Sequence, residues 1–148
     1  MIRATSAAAV MILLLIALGC EARTEADNQS KDPVAVAKET DKLAAEDLAK
    51  SKIDAKQWLA SEKHGTFEAT KSDILKLTND CLAAGAVGVY VSAPEQLEDK
   101  ELVSTLYIEL PADAAKRAKL IALYNKATEG DQDPEKDHGQ KFLVYDWD

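Results

Sequence analysis

The stretch AVGVYVSAPEQLEDKELVSTLYIEL, running from Ala86 to Leu110, decides the fold. Its two ends, Val87-Gly88-Val89-Tyr90-Val91 and Thr105-Leu106-Tyr107-Ile108-Glu109-Leu110, alternate with period two, the repeat of a strand buried on one side. A charged connection lies between them. The pattern predicts a β-hairpin with Val87, Val89, Val91, Leu106, Ile108 and Leu110 on one face and Tyr90, Thr105, Tyr107 and Glu109 on the other.

Helical patterns flank the hairpin on both sides. Upstream, Thr70 and Asp73 have the spacing of a capping box, and Ile74, Leu75, Leu77, Thr78, Cys81 and Leu82 fall within about 160° of a helical wheel, ending at Gly85. Downstream, Pro111 closes the second strand. A helix over 112–128 then follows, with Ala114, Ala118, Leu120, Ile121 and Tyr124 as its buried stripe and Gly130 as its stop. A polar loop, 131–140, leads to a last strand at 141–147, and residues 65–69 read as a short first strand. The order β-α-β-β-α-β resembles the ferredoxin-like split βαβ sandwich, an α+β fold of two layers. Without the first strand the order is α-β-β-α-β on three strands.

The first 20 residues carry an address. After Arg3 comes a run of 12 apolar residues, 7–18, too short for a bilayer core that needs ~20. The run ends in Leu15-Ile16-Ala17-Leu18-Gly19-Cys20, which resembles the lipobox of bacterial lipoproteins, with Ala17 where that family prefers Leu and Leu18 bulkier than its usual residue. The resemblance implies a signal peptide over 1–19, diacylglyceryl (palmitate-type) modification of Cys20, and a mature protein anchored to the inner or outer membrane facing the periplasm. Ala17-Leu18-Gly19 also satisfies the small-x-small rule of ordinary signal peptidase, which implies a soluble secreted product instead.

Residues 20–64 read as a lipidated tether. Residues 21–31 have almost no apolar content, the composition of a disordered chain. A charged helix is then expected from Asp32 as N-cap and Pro33 as first residue, and a second short one from Asp54-Ala55-Lys56-Gln57 carrying Trp58 and Leu59. Residues 65–148 form the expected sandwich domain, roughly 85 residues with room for one modest core.

The formal net charge is −8 at pH 7. Removal of 1–19 takes away only Arg3, leaving 17 basic against 26 acidic residues. That field repels phosphate backbones and anionic headgroups, which argues against nucleic acid and leaves the lipid as the only membrane contact. Cys81 lies on a helical apolar stripe and reads as a structural thiol, and with Cys20 lipidated no intrachain disulfide forms. The loop Asp131-Gln132-Asp133-Pro134-Glu135-Lys136-Asp137 alternates carboxylates like a calcium loop, but Lys136 stands where that motif needs Gly and Phe142 where it needs Glu, so no metal site is assigned. No catalytic motif stands out, and no cofactor is implied.

Two surfaces remain as candidate partner sites. One is an acidic end where Glu95, Glu98, Asp99 and Glu101 of the hairpin connection meet Asp131, Asp133, Glu135 and Asp137, suited to steering a basic protein. The other is the hairpin face bearing Tyr90 and Tyr107, which either meets a partner or is covered by the Trp58-Leu59 helix. The resulting expectation is a non-catalytic, membrane-tethered envelope lipoprotein that binds another macromolecule, in general character like immunity proteins. The alternatives are a structural or stress-related envelope protein without a dedicated partner and, third, an enzyme. The sequence leaves the oligomeric state open.

Overall fold

A computed structural model describes residues 32–61, 64–66, 70–92, 94–97, 100–130 and 133–146. The expected leader, Cys20, the 21–31 segment, Glu98, Asp99, Asp131 and Trp147 lie outside the described residues. In chain order the elements are α1 (Pro33–Lys50), β1 (Ile53–Asp54), α2 (Ala55–Ala60), β2 (His64–Thr66), α3 (Lys71–Ala84), β3 (Gly88–Val91), β4 (Glu95–Leu97), β5 (Lys100–Val103), β6 (Thr105–Glu109), α4 (Ala114–Ala127) and β7 (Phe142–Asp146).

Each helix begins where a side-chain oxygen can take an orphan N–H of its first turn. Asp32 accepts from the Val34 amide with Pro33 behind it, Asp54 from Gln57, Thr70 from Asp73 and Asp113 from Lys116. Helix α3 stops at Gly85, whose φ of +100° is open to glycine at little cost, and the Ala86 amide closes the turn on the Cys81 carbonyl at 3.0 Å.

The hairpin forms with the expected faces. Strands β3 and β6 pair antiparallel with Val89 opposite Ile108, Tyr90 opposite Tyr107 and Val91 opposite Leu106. Val89, Val91, Leu106, Ile108 and Leu110 join Ile74 and Cys81 of α3, Leu120, Ile121 and Tyr124 of α4, and Trp58 and Leu59 of α2 in the main core. Val87, one residue before β3, stays 60% exposed. On α4 the buried stripe is Leu120, Ile121 and Tyr124, whereas Ala114 and Ala118 face solvent. Arg117 stands in their place, one turn before Leu120 and Ile121.

The α+β class holds, built on a four-stranded antiparallel sheet in the order β1-β3-β6-β7. A ferredoxin-like order would seat the last strand beside a strand at 65–69. Strand β7 instead lies on β6, and β2 pairs in parallel with β5 in a separate small sheet, β2-β5-β4. The physical reason is the connection after α4. A helix of 14 residues climbs about 21 Å, and the segment 133–140 then retraces it, so β7 starts beside the end of β6. Asn125 holds this return segment at Glu135, donating to its carbonyl at 2.9 Å and accepting from its amide at 2.7 Å.

A second departure concerns the number of layers. Helix α1, expected within a tether over 20–64, packs on the sheet face opposite α3 and α4, where Ala44 and Leu48 bury Tyr107 and Phe142. The described fold therefore has helices on both faces and begins at α1, well before residue 65. Among the described residues no helix is long and apolar enough to cross a membrane.

One defect sits in the main core. Thr78 is fully buried, and its hydroxyl has no hydrogen-bond partner among the described residues. A buried unpaired hydroxyl carries its desolvation cost without return, so Thr78→Val, which keeps the shape, should raise stability by about 1 kcal/mol in urea unfolding. A loss of that size would show that the hydroxyl is satisfied.

Candidate functional site

Helix α1 takes the tyrosine face out of consideration as a partner surface. Tyr107 is 5% exposed, and its hydroxyl donates to Asp47 Oδ2 at 2.8 Å. Burial first, and then the Asp47 carboxylate, push the Tyr107 hydroxyl up from its ordinary pKa. Hydrogen bonds from Lys50 and from Tyr107 hold Asp47 below the usual carboxylate value. Tyr90, half-buried, folds back over Gly88, where a Cβ would collide with its hydroxyl, and carries Lys52 Nζ 3.8 Å from its ring centroid. The helix that covers this face is α1; the Trp58-Leu59 helix belongs to the opposite core.

The acidic end divides in two. Because β7 runs antiparallel to β6, with Glu109 opposite Phe142 and Thr105 opposite Asp146, the loop before β7 and the excursion between β3 and β6 leave from opposite ends of the sheet. Glu95 and Glu101 sit on β4 and β5 of the small sheet; Asp137 lies at the far end of β6 beside Arg117, while Glu135 is held by Asn125 about two turns farther along α4. Asp137 is set apart from Asp133 and Glu135 by a cation of its own. Asp137 forms a two-bond pair with Arg117, at 2.6 and 2.9 Å, which holds its carboxyl down at about 2. Glu135 accepts from the Gln140 amide at 3.0 Å, and Asp133 is exposed. No group of three His, Cys, Asp or Glu suited to a metal occurs among the described residues.

Sequence reasoning missed Arg117, although its signal was present: a cation in helical register with Leu120, Ile121 and Tyr124 on a buried stripe. Its side chain is only 13% exposed, and it also donates to the Gln140 carbonyl at 2.9 Å and the Pro111 carbonyl at 3.4 Å. Gln140, buried at 3%, was missed as well; its side chain accepts from the His138 amide and donates to Glu135 and to the Lys136 carbonyl.

These contacts shape one wall of a groove of about 600 Å³ beside β7. Phe142, Leu143 and Val144 of the strand form its floor; Pro33, Val36, Ala37 and Thr40 of α1 form one wall; Asp133, Glu135 and His138 form the other. Val36 is 45% exposed there, an apolar side chain left without a cover. Two side chains hold the strand's outer edge. Asp41 accepts from the Lys141 and Phe142 amides at 2.7–2.9 Å, and Tyr124 donates its hydroxyl to the Val144 carbonyl at 2.8 Å. Among the described residues neither Asp133 nor Glu135 is ion-paired, so the groove offers a hydrophobic floor beneath two carboxylates with no cation. A second groove of about 440 Å³ between α3 and α4 is rimmed by both signs of charge, with Lys76 bound to Asp80 at 2.8 Å.

Cys81 behaves as its sequence position implied. It is fully buried, and burial, followed by the nearby Asp80 carboxylate, pushes its thiol up to about 12, which disfavours the thiolate that a nucleophile needs; thiol reagents should therefore label it slowly in the native state.

The Arg117–Asp137 pair gives a pH dependence of known sign. The folded carboxyl titrates at about 2, against ~3.9 in an unfolded chain, so the unfolded state takes up the proton first. The stabilisation is complete above pH ~4 and disappears as the pH falls through about 2, while the guanidinium stays charged throughout. Asp137→Asn should flatten the urea-measured stability between pH 4 and 2, and Arg117→Met should cost about 2 kcal/mol at pH 7 through its lost charge-assisted bonds. An unchanged acid slope in Asp137→Asn would contradict the pairing.

For the strand edge, Asp41→Ala should speed hydrogen exchange at the Lys141 and Phe142 amides by tenfold or more. The Ile108 amide, deep in the sheet, should be unaffected. Equal acceleration at all three would mean that the whole sheet, rather than its edge, depends on Asp41. Comparison with protein-family models, curated proteins and solved structures finds no match to this chain.

Proposed function

We propose that this chain is a non-catalytic lipoprotein of the bacterial envelope that is tethered through Cys20 and binds a basic macromolecule in the groove beside β7. The observation that carries the binding half is the pair of uncompensated carboxylates, Asp133 and Glu135, set over the apolar floor of Phe142 and Val144. Such a combination favours a ligand that brings both a cation and an apolar stem. The tether half rests on the lipobox-like Gly19-Cys20. From Cys20 to Pro33, a groove-lining residue, the chain can reach at most ~45 Å, so the groove operates close to the membrane that holds the anchor.

The expected outcome has two parts. Mass spectrometry of the mature protein should find an N-terminal Cys20 carrying diacylglyceryl, and Cys20→Ser should move the protein out of the membrane fraction. A photocrosslinker at Val36 should give a discrete adduct in whole cells, weakened by Asp133→Lys with Glu135→Lys, while the same crosslinker at Lys56 on α2 gives none of that mass. Soluble protein with an unmodified Cys20 would overturn the tether. A Val36 adduct indifferent to both charge reversals would overturn the basic ligand.

A further inference from the structure

Strand β7 is the edge of the four-stranded sheet, and its outer backbone groups can be counted. The Leu110 amide donates to the Lys141 carbonyl at 2.8 Å, which fixes the phase of the β6–β7 ladder, while the Lys141 amide turns to Asp41. By the alternation of antiparallel ladders, Leu143 and Tyr145 bond inward to β6, while Phe142 and Val144 turn both of their backbone groups outward. Two of those four groups are already taken: the Phe142 amide by Asp41, and the Val144 carbonyl by the Tyr124 hydroxyl. The Phe142 carbonyl and the Val144 amide have no hydrogen-bond partner given by any contact among the described residues, and both residues line the groove.

This remainder is directional. An antiparallel strand needs both groups of one residue, either Phe142 or Val144, and each lacks one. A parallel strand needs the carbonyl of one residue and the amide of the residue two further on, which is the pair left open here. We infer that β7 receives one extended basic segment of a partner protein in parallel register, seated opposite Leu143. One residue of that segment donates its amide to the Phe142 carbonyl and accepts from the Val144 amide, while a lysine or arginine side chain reaches Asp133 and Glu135. Asp41 and Tyr124 limit the addition to that one residue, so recognition depends on the cation as much as on the backbone. The same blocks disfavour a second copy, because two β7 strands meeting about a two-fold axis would pair antiparallel and bring like carboxylates together. The inference rests on the reading of the groove as a docking surface.

The test uses the full chain, 15N-labelled in detergent, titrated with the pentapeptide acetyl-Lys-Ala-Val-Ala-Lys-amide. The Val144 amide should shift and gain protection from exchange. N-methylation of one peptide residue should weaken binding at least tenfold, and N-methylation of its two neighbours should leave it unchanged. Asp133→Asn with Glu135→Gln, which keeps the Gln140 contact, should weaken binding about tenfold and reduce its salt dependence. Shifts at Val36 and Phe142 with no response at Val144, or with every N-methylated peptide binding equally, would overturn the parallel register while leaving the groove as the site. Silence of all groove resonances at millimolar peptide would overturn both. A dimer by sedimentation whose interface protects Val144 would overturn the choice of occupant.

Discussion

The constraint on which the rest of this fold depends is the seat of one guanidinium. Arg117 projects from α4 at 13% exposure and meets acceptors from both sides of the sheet connection: Pro111, just after β6, and Asp137 and Gln140, just before β7. A planar fork with five donors is suited to this, since it can satisfy a carboxylate with two bonds and still reach two carbonyls. By holding the end of β6 beside the start of β7, it sets the return segment along α4 and makes the Leu110–Lys141 bond the first rung of their ladder. A hydrophobic residue at this point of the stripe would bury as well, but it would not specify which strand the last segment joins.

That accounts for what the sequence made legible and what it did not. The faces of the hairpin, the caps at Asp32, Asp54 and Thr70, the stop at Gly85 and the burial of Cys81 all follow from interactions within a few residues, and local pattern carries them. Strand order does not have a local signature. The alternation of 142–146 fits either neighbour, and the choice was made by a connection long enough to double back and by a charge pair 20 residues apart in sequence. The buried side chain of Arg117 was hidden by the ordinary expectation that a lysine- and arginine-bearing helix face is solvated.

Helix α1 was misread for a related reason. Its stripe of Ala37, Ala44 and Leu48 is mostly alanine, while the larger Leu43 is 55% exposed, so its apolar face is weak by any measure of size. What docks it is polar: Asp41 on the Lys141 and Phe142 amides, Asp47 on the Tyr107 hydroxyl, and the Asp47 carbonyl taking the Ser92 hydroxyl at 2.8 Å. Small residues let the helix lie close to the sheet, and the carboxylates then reach backbone and phenol donors that a leucine-faced helix would hold at a distance. Of the candidate groove, the sequence pointed to Asp133 and Glu135, but Asp41, Tyr124 and Val36 come from two different helices and become neighbours only through this docking.

The same geometry decides between steering and seating. Within the segment before β7, Arg117 in the first turn of α4 draws off Asp137, while Asn125 near the other end of the helix holds Glu135. With Asp137 neutralised by Arg117, Asp133 and Glu135 are the carboxylates of segment 133–140 that have no ion pair among the described residues. The net charge of −8 can attract a basic partner from a distance, but it has no preferred direction. In the proposed docking mode direction comes at short range, where those two carboxylates line the same groove as the open backbone groups of Phe142 and Val144. In that proposed mode, affinity is concentrated at the edge of β7, where a strand edge guarded by Asp41 and Tyr124 disfavours general pairing and leaves room for one oriented contact.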